Sequence, residues 1–135
     1  MLEISSRVVS AIGDEASRYS WRETCGLLFG SSDRIVSHLP CRNAAPDPRA
    51  AFEIDPAQLI AALRAERNGG APIAGCYHSH PDGAPTPSIR DAEAAAPNGW
   101  IWLIVAGRGT GCYRAVAEGR YHGRFDAVAH RLVKP

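Results

Sequence analysis

An α/β fold is expected for this chain, with helices packed on one mixed sheet. Two observations lead there: apolar runs of strand length bounded by turn residues, and i, i+4 helical spacings lying between them. The 135 residues suit one domain, 1–135, and are enough to bury a core. Apolar content of 45% and charged content of 21% are ordinary for a soluble globular protein.

Residues 4–19 read as the first helix. Ile4, Val8, Ile12 and Ala16 recur at i+4 and Val9 widens the stripe, while Arg7, Asp14, Glu15 and Arg18 face away. Glu23 to Phe29 is a short strand ended by the turn cluster Gly30-Ser31-Ser32-Asp33, and Arg34 to Leu39 is its hairpin partner. Pro40 to Ala51, with Pro46 and Pro48, reads as a surface loop. Asp55-Pro56 opens a second helix with an N-cap acid and a proline at the first helical position. Leu59, Ile60 and Leu63 give that helix its apolar face, and Asn68-Gly69-Gly70 ends it. Pro72 to His80 is apolar until Tyr77, as expected of a central buried strand.

A third helix starts near Ser88 after the Pro81–Pro87 loop and stops at Pro97-Asn98-Gly99. Trp100 to Ala106 is a second buried strand, its Trp100 and Trp102 alternating with Ile101 and Leu103 as sheet packing requires. Gly107 to Gly111 reads as a tight turn into Cys112–Ala117, and a last pair of strands falls near Tyr121–Phe125 and Ala127–Val133.

Bulk properties exclude several functions. A net charge of +1, from 15 basic and 14 acidic residues without a long basic run, argues against nucleic acid or an anionic membrane as partner. No apolar stretch approaches the ~20 residues of a membrane span. The N-terminus lacks the basic and apolar regions of a signal peptide, so a cytoplasmic location is expected. Cys25, Cys41, Cys76 and Cys112 form no Cys-x-x-Cys pair and read as reduced, buried thiols.

Chemistry concentrates in Tyr77-His78-Ser79-His80-Pro81, with Ser88 and Asp91 downstream. Histidines at i and i+2 of a strand share a face, so both rings can reach one ion. Pro81 fixes the chain as it leaves the strand, and Asp91 in the first helical turn supplies a carboxylate. Two imidazoles and a carboxylate leave the fourth position of tetrahedral zinc for water, the pattern of a catalytic site. Ser88-x-x-Asp91 also has the form of a capping box, a role compatible with ligation. Hydrolysis further needs a base, which spacing alone does not select from the seven glutamates.

Glu23-Thr-Cys-Gly-Leu-Leu-Phe-Gly30, His78-Ser-His80-Pro81 and Ser88-Ile-Arg-Asp91 together resemble the JAMM, or MPN-plus, zinc metalloprotease family. That family's pattern is His-x-His, seven residues, Ser, two residues and Asp, which positions 78 to 91 fit without a gap. Phe52-Glu-Ile-Asp-Pro56 is similar to its entry into the second helix, and the resemblance covers roughly residues 3 to 120. It implies a three-layer α/β/α fold like that of the cytidine deaminases. It also implies one zinc ion held by His78, His80 and Asp91, Glu23 as general acid/base, and Ser88 as oxyanion donor. Deubiquitinating members carry insertions that grip two ubiquitin units, for which 135 residues leave little room. Compact bacterial members instead resemble processing peptidases for small ubiquitin-like sulfur carriers, acting at a C-terminal Gly-Gly tail.

Competing readings are weaker. A non-catalytic MPN-type scaffold characteristically lacks metal ligands, and none is missing here. A small-molecule zinc hydrolase of the deaminase type lacks its Pro-Cys-x-x-Cys segment. Cys76 shares a strand face with His78, yet a thiol among Ile73, Ala74 and Tyr77 reads as core rather than nucleophile. His38, His122 and His130 have no motif around them and are expected at the surface.

Overall fold

The computed structural model describes every residue except Arg108. In chain order its elements are β1 (Leu2–Ser5), α1 (Ser6–Arg18), β2 (Cys25–Gly30), β3 (Arg34–Cys41), α2 (Pro56–Arg67), β4 (Ile73–His80), α3 (Ile89–Ala94), β5 (Ile101–Ala106), β6 (Gly109–Gly119), β7 (Gly123–Ala127) and β8 (His130–Val133). Among the described residues the strands form one 8-stranded sheet in the order β7-β6-β5-β4-β2-β3-β1-β8. β4 is parallel to β5 and antiparallel to β2, so the sheet is mixed.

Alternation along the central strands sorts side chains onto two faces. Val8 and Ile12 of α1 pack with Leu28, Tyr77, Ile101, Leu103 and Val105 on one. On the other, Cys76, Trp102, Ile104 and Phe125 pack with Ala92 and Ala95 around α3 and with Phe52 and Ile54 ahead of α2. The expected helix–sheet–helix layering is therefore present. Burying each large aliphatic side chain contributes about 1.5–3 kcal/mol. Tyr77 is tied to α1 by a bond from its hydroxyl to Glu15 Oε1 (2.6 Å). Gly26 lies flat beneath the Tyr77 ring, and a Cβ there would fall 2.4 Å from it.

Several expectations need correction. The first helix does not begin at residue 4: Leu2–Ser5 is a strand, parallel to both β3 and β8. Leu2 and Ile4 are both buried at period two, and Glu3 bridges Arg34 and Arg131 of the flanking strands. The last two strands are not neighbours, since β7 and β8 occupy opposite edges of the sheet. α2 has its expected cap, Asp55 accepting from the Gln58 N–H, but its apolar face is only half covered, with Ile60 49% and Leu63 37% exposed. β6 starts at Gly109, inside the anticipated turn, whose Arg108 lies outside the described residues. All four cysteines are free, and Cys41 is only partly buried. No helix of the described residues is long and apolar enough to cross a membrane.

Candidate metal centre

The site forms where β4 ends, at the carboxyl end of the parallel β4–β5 pair. His78 and His80, two residues apart, project from the same side of β4 towards α3. Ser79 between them locks β4 to the chain entering β2. Its Oγ accepts from the Thr24 N–H (2.8 Å) and hydroxyl (3.0 Å), and its N–H donates to the Thr24 carbonyl (3.0 Å). Glu23 is thereby brought beside the histidines. From the other side, α3 delivers Asp91 through its capping box. Asp91 N–H donates to Ser88 Oγ (3.0 Å), and Ser88 N–H donates to Asp91 Oδ2 (2.9 Å). Gly111 makes room for the incoming loop, as a Cβ there would meet the Pro85 carbonyl at 2.2 Å.

Three donor atoms converge. His78 Nε2 lies 2.9 Å from His80 Nε2 and 3.1 Å from Asp91 Oδ2, and His80 Nε2 lies 3.2 Å from the same oxygen. Ligands about 2.0–2.1 Å from a tetrahedral ion stand about 3.3 Å from one another, so the spacing is close to what an ion imposes. The tautomer of His80 fits as well: its Nδ1–H donates to the Ala84 carbonyl (3.0 Å), leaving the Nε2 lone pair free. Three such atoms around one point need a proton or a cation between them. The donor set therefore fits a divalent metal.

Electrostatics agree at His78 and Asp91, while His80 in the metal-free protein leans towards its protonated form. Burial holds the His78 pKa below its ordinary value, favouring the uncharged ring that binds metals. Burial acts to raise the Asp91 pKa, but the hydrogen bonds from His78 and His80 outweigh it and hold the carboxyl far below the usual carboxylate range. Burial likewise acts to lower the His80 pKa, and its bonds to Asp91 and the Ala84 carbonyl reverse the sign and raise it. Glu23 behaves differently, its pKa pushed up to about 7, chiefly by burial. Its Oε1 is buried without a hydrogen-bond partner, and a carboxylate oxygen lies within 4.8 Å of ligand atoms of both histidines. Glu23, His78 and His80 thus form a second candidate triad around the same point. Asp91 stands within 3.2 Å of both ring nitrogens and is held ionised.

The inner side of the site is aromatic, and the outer side opens on a mostly polar cleft. Phe52 stacks on the His78 ring (centroids 4.2 Å, 19° between planes), and Trp102 meets its edge at 5.7 Å. A cleft of about 220 Å³ exposes Glu23, His80 and Ser88 between Arg49–Ala50 and Pro81–Gly83. Ser88 Oγ accepts a bond as N-cap, and its own proton stays available to a further acceptor. Both anticipated roles of Ser88 are thus compatible.

All five residues singled out in the sequence are brought together here. Others are not. Cys76 is buried, and burial drives its thiol pKa well above the ordinary value, the wrong environment for a nucleophile. His38 is half-buried against Tyr77 rather than at the surface, His122 lies 3.1 Å from the Pro87 carbonyl, and His130 sits in the edge strand β8. Asn43 and Phe52 escaped notice as site residues. The stretch holding Asn43 carries no periodic pattern; it runs over the surface as expected, with Arg49 and Ala50 lining the cleft and Asn43 bonded to the Glu23 carbonyl.

A family model described as prokaryotic homologs of the JAB domain matches residues 5–118. A desampylase of Haloferax volcanii is 40% identical over 84 residues, which cover 61% of this chain and 60% of that one. A probable TtuB-protein conjugate cleaving protease of Thermus thermophilus is 36% identical over 74 residues, 55% of this chain and 49% of that one. The matches thus span about half to three fifths of the length of these relatives. A solved structure from Desulfitobacterium hafniense superposes with a TM-score of 0.81 at 22% identity, over 100% of this chain and 94% of that one, which shows a shared fold. With a match running across both strands and helix of the site, the chain belongs to the prokaryotic homologs of the JAB domain.

Proposed function

We propose that the chain is a zinc-dependent isopeptidase acting at the C-terminal Gly-Gly tail of a small ubiquitin-like, sulfur-carrier protein. The observation that carries this reading is the convergence of His78 Nε2, His80 Nε2 and Asp91 Oδ2 within 3.2 Å, with the unpartnered Glu23 carboxyl beside them. The relatives named above, a desampylase and a conjugate-cleaving protease, support the substrate class.

In this reading His78, His80 and Asp91 hold the metal, and two imidazoles with one carboxylate suit zinc. Bound there, zinc supplies a Lewis acid that brings the pKa of a water near neutrality and polarises a carbonyl. Glu23 takes the proton of the attacking water and hands it to the leaving nitrogen. Burial raises the Glu23 carboxyl above the ordinary carboxylate range in the metal-free protein, which disposes it to accept and carry a proton. The Ser88 hydroxyl donates to the oxyanion that develops on the scissile carbonyl. Phe52 and Trp102 keep water off the inner face of His78. The cleft between Ala50 and Gly83 admits an extended tail, and a Gly-Gly tail has no side chains to clash there. The four free cysteines are in keeping with a cytoplasmic location.

The test is a ubiquitin-like carrier joined through its Gly-Gly carboxyl to a lysine side chain, with the products weighed by mass spectrometry. Cleavage should vanish with a strong chelator, return with zinc and survive a thiol alkylator. Glu23→Gln should keep one zinc per chain and lose hydrolysis. Full turnover by Glu23→Gln, or inactivation by the alkylator and not the chelator, contradicts the proposal.

A further inference from the structure

Glu23 Oε1 is buried without a hydrogen-bond partner, so no bond at that oxygen fixes the aim of the carboxyl and the hold on its main chain matters more. Both main-chain polar groups of Glu23 end on the segment between β3 and α2. Its N–H donates to the Pro48 carbonyl (2.7 Å), and its carbonyl accepts from Asn43 Nδ2 (2.9 Å).

Asn43 organises that segment. It is buried, and its amide uses all four hydrogen-bonding positions. Nδ2 donates to the carbonyls of Glu23 and Ala51 (3.0 Å), while Oδ1 accepts from the N–H groups of Ala45 (3.0 Å) and Glu53 (3.1 Å). Ala44 N–H to the Glu53 carbonyl (2.8 Å) and Asp55 N–H to the Arg42 carbonyl (3.0 Å) close the segment on itself. One amide therefore joins the chain entering β2, which bears Glu23, to a closed loop, and no other residue type presents two donors and two acceptors in so short a side chain.

We infer that Asn43 is a positioning residue for Glu23, fixing its main chain so that the carboxyl faces the His78–His80 pair. The inference rests on the proposed role of Glu23 as proton carrier. Asn43 touches neither the converging donor atoms nor the open cleft, so its contribution falls on proton transfer and leaves metal binding alone.

Asn43→Asp and Asn43→Ala in the full chain separate these roles. Aspartate keeps the volume and the bonds from Ala45 and Glu53 but has no donor for the Glu23 carbonyl; should the alanine protein not fold, the aspartate protein carries the test. Zinc affinity is measured by competition with a chelating dye, and kcat and KM with the Gly-Gly isopeptide conjugate, normalised to zinc-bound protein. The expected result is a kcat reduced about 100-fold, with KM and zinc affinity within about threefold of the parent. A merely structural asparagine would lower the melting temperature and leave kcat per bound zinc at the parental value, which overturns the inference. Loss of zinc affinity in step with kcat overturns it too. A parent chain that binds no zinc, or full turnover by Glu23→Gln, removes the proposed function and the inference with it; parental kcat in the Asn43 variants removes the inference alone.

Discussion

Tyr77 and His78 are neighbours on β4, both 0% exposed, and they serve opposite faces of the same sheet. Tyr77 enters the α1 side among aliphatic residues, where its hydroxyl is matched to Glu15. His78 enters the α3 side, where its Nδ1 has no partner and its Nε2 meets two further metal-ligand types. Buried polar groups in a core are normally paired, and on the α1 side this one is. On the other side His78 Nδ1 and Glu23 Oε1 stay unpaired, and three donors crowd one point. The α3 face thus combines an apolar core of its own with a cluster of polar atoms that the α1 face lacks around Tyr77.

Mutations on each face should separate these properties. The largest effect is expected of His78→Ala, with zinc affinity lowered more than about 100-fold, beyond what loss of an outer-shell partner causes, in a competition titration. Leu103→Ala on the α1 face should lower unfolding free energy by about 2–5 kcal/mol in denaturant melts and leave zinc affinity per folded molecule unchanged. If Leu103→Ala emptied the metal site while His78→Ala did not, the division between faces would be wrong.

Ser88→Ala probes the boundary between the two properties. As oxyanion donor, Ser88 should contribute about 2.7–4 kcal/mol to the barrier, seen in kcat, while as N-cap it contributes about 1 kcal/mol to stability. A change in stability with kcat intact would confine Ser88 to capping.

The pH dependence of the metal-free protein gives a smaller signal with a definite sign. Glu23 has a folded pKa of about 7 against an ordinary 4.5, so the folded state holds a proton that the unfolded chain releases. Its contribution is fully present below about pH 4.5 and is lost as pH rises through 7. Metal-free Glu23→Gln should match the parent in thermal melts at pH 4 and exceed it at pH 8. Smallest of all, Ile60→Asn on the half-covered face of α2 should lower stability by about 1 kcal/mol or less.

The same contrast explains what the sequence made legible. His78, His80, Ser88 and Asp91 lie within one strand–loop–helix passage, so their spacing encodes their meeting. Glu23 arrives on the chain entering β2, held to β4 by Thr24–Ser79 bonds that no local pattern records, and only the resemblance to JAMM proteins singled it out. Asn43 acts through a loop with no periodicity, and its four bonds appear only when the chain closes around Glu23. The strand β1 was obscured by coincidence. Ile4 stands four residues before Val8 and so continues the stripe of α1, while its true partners on β8 lie at the far end of the chain. Helix starts were readable because Asp55 and Ser88 carry their own caps.

The central claim is most directly tested by anomalous diffraction at the zinc edge from crystals grown with zinc. The account predicts one peak about 2.0–2.1 Å from His78 Nε2, His80 Nε2 and Asp91 Oδ2, with Glu23 beyond bonding distance. A peak bound by Glu23 with Asp91 turned away, or none between the two imidazoles, would contradict it.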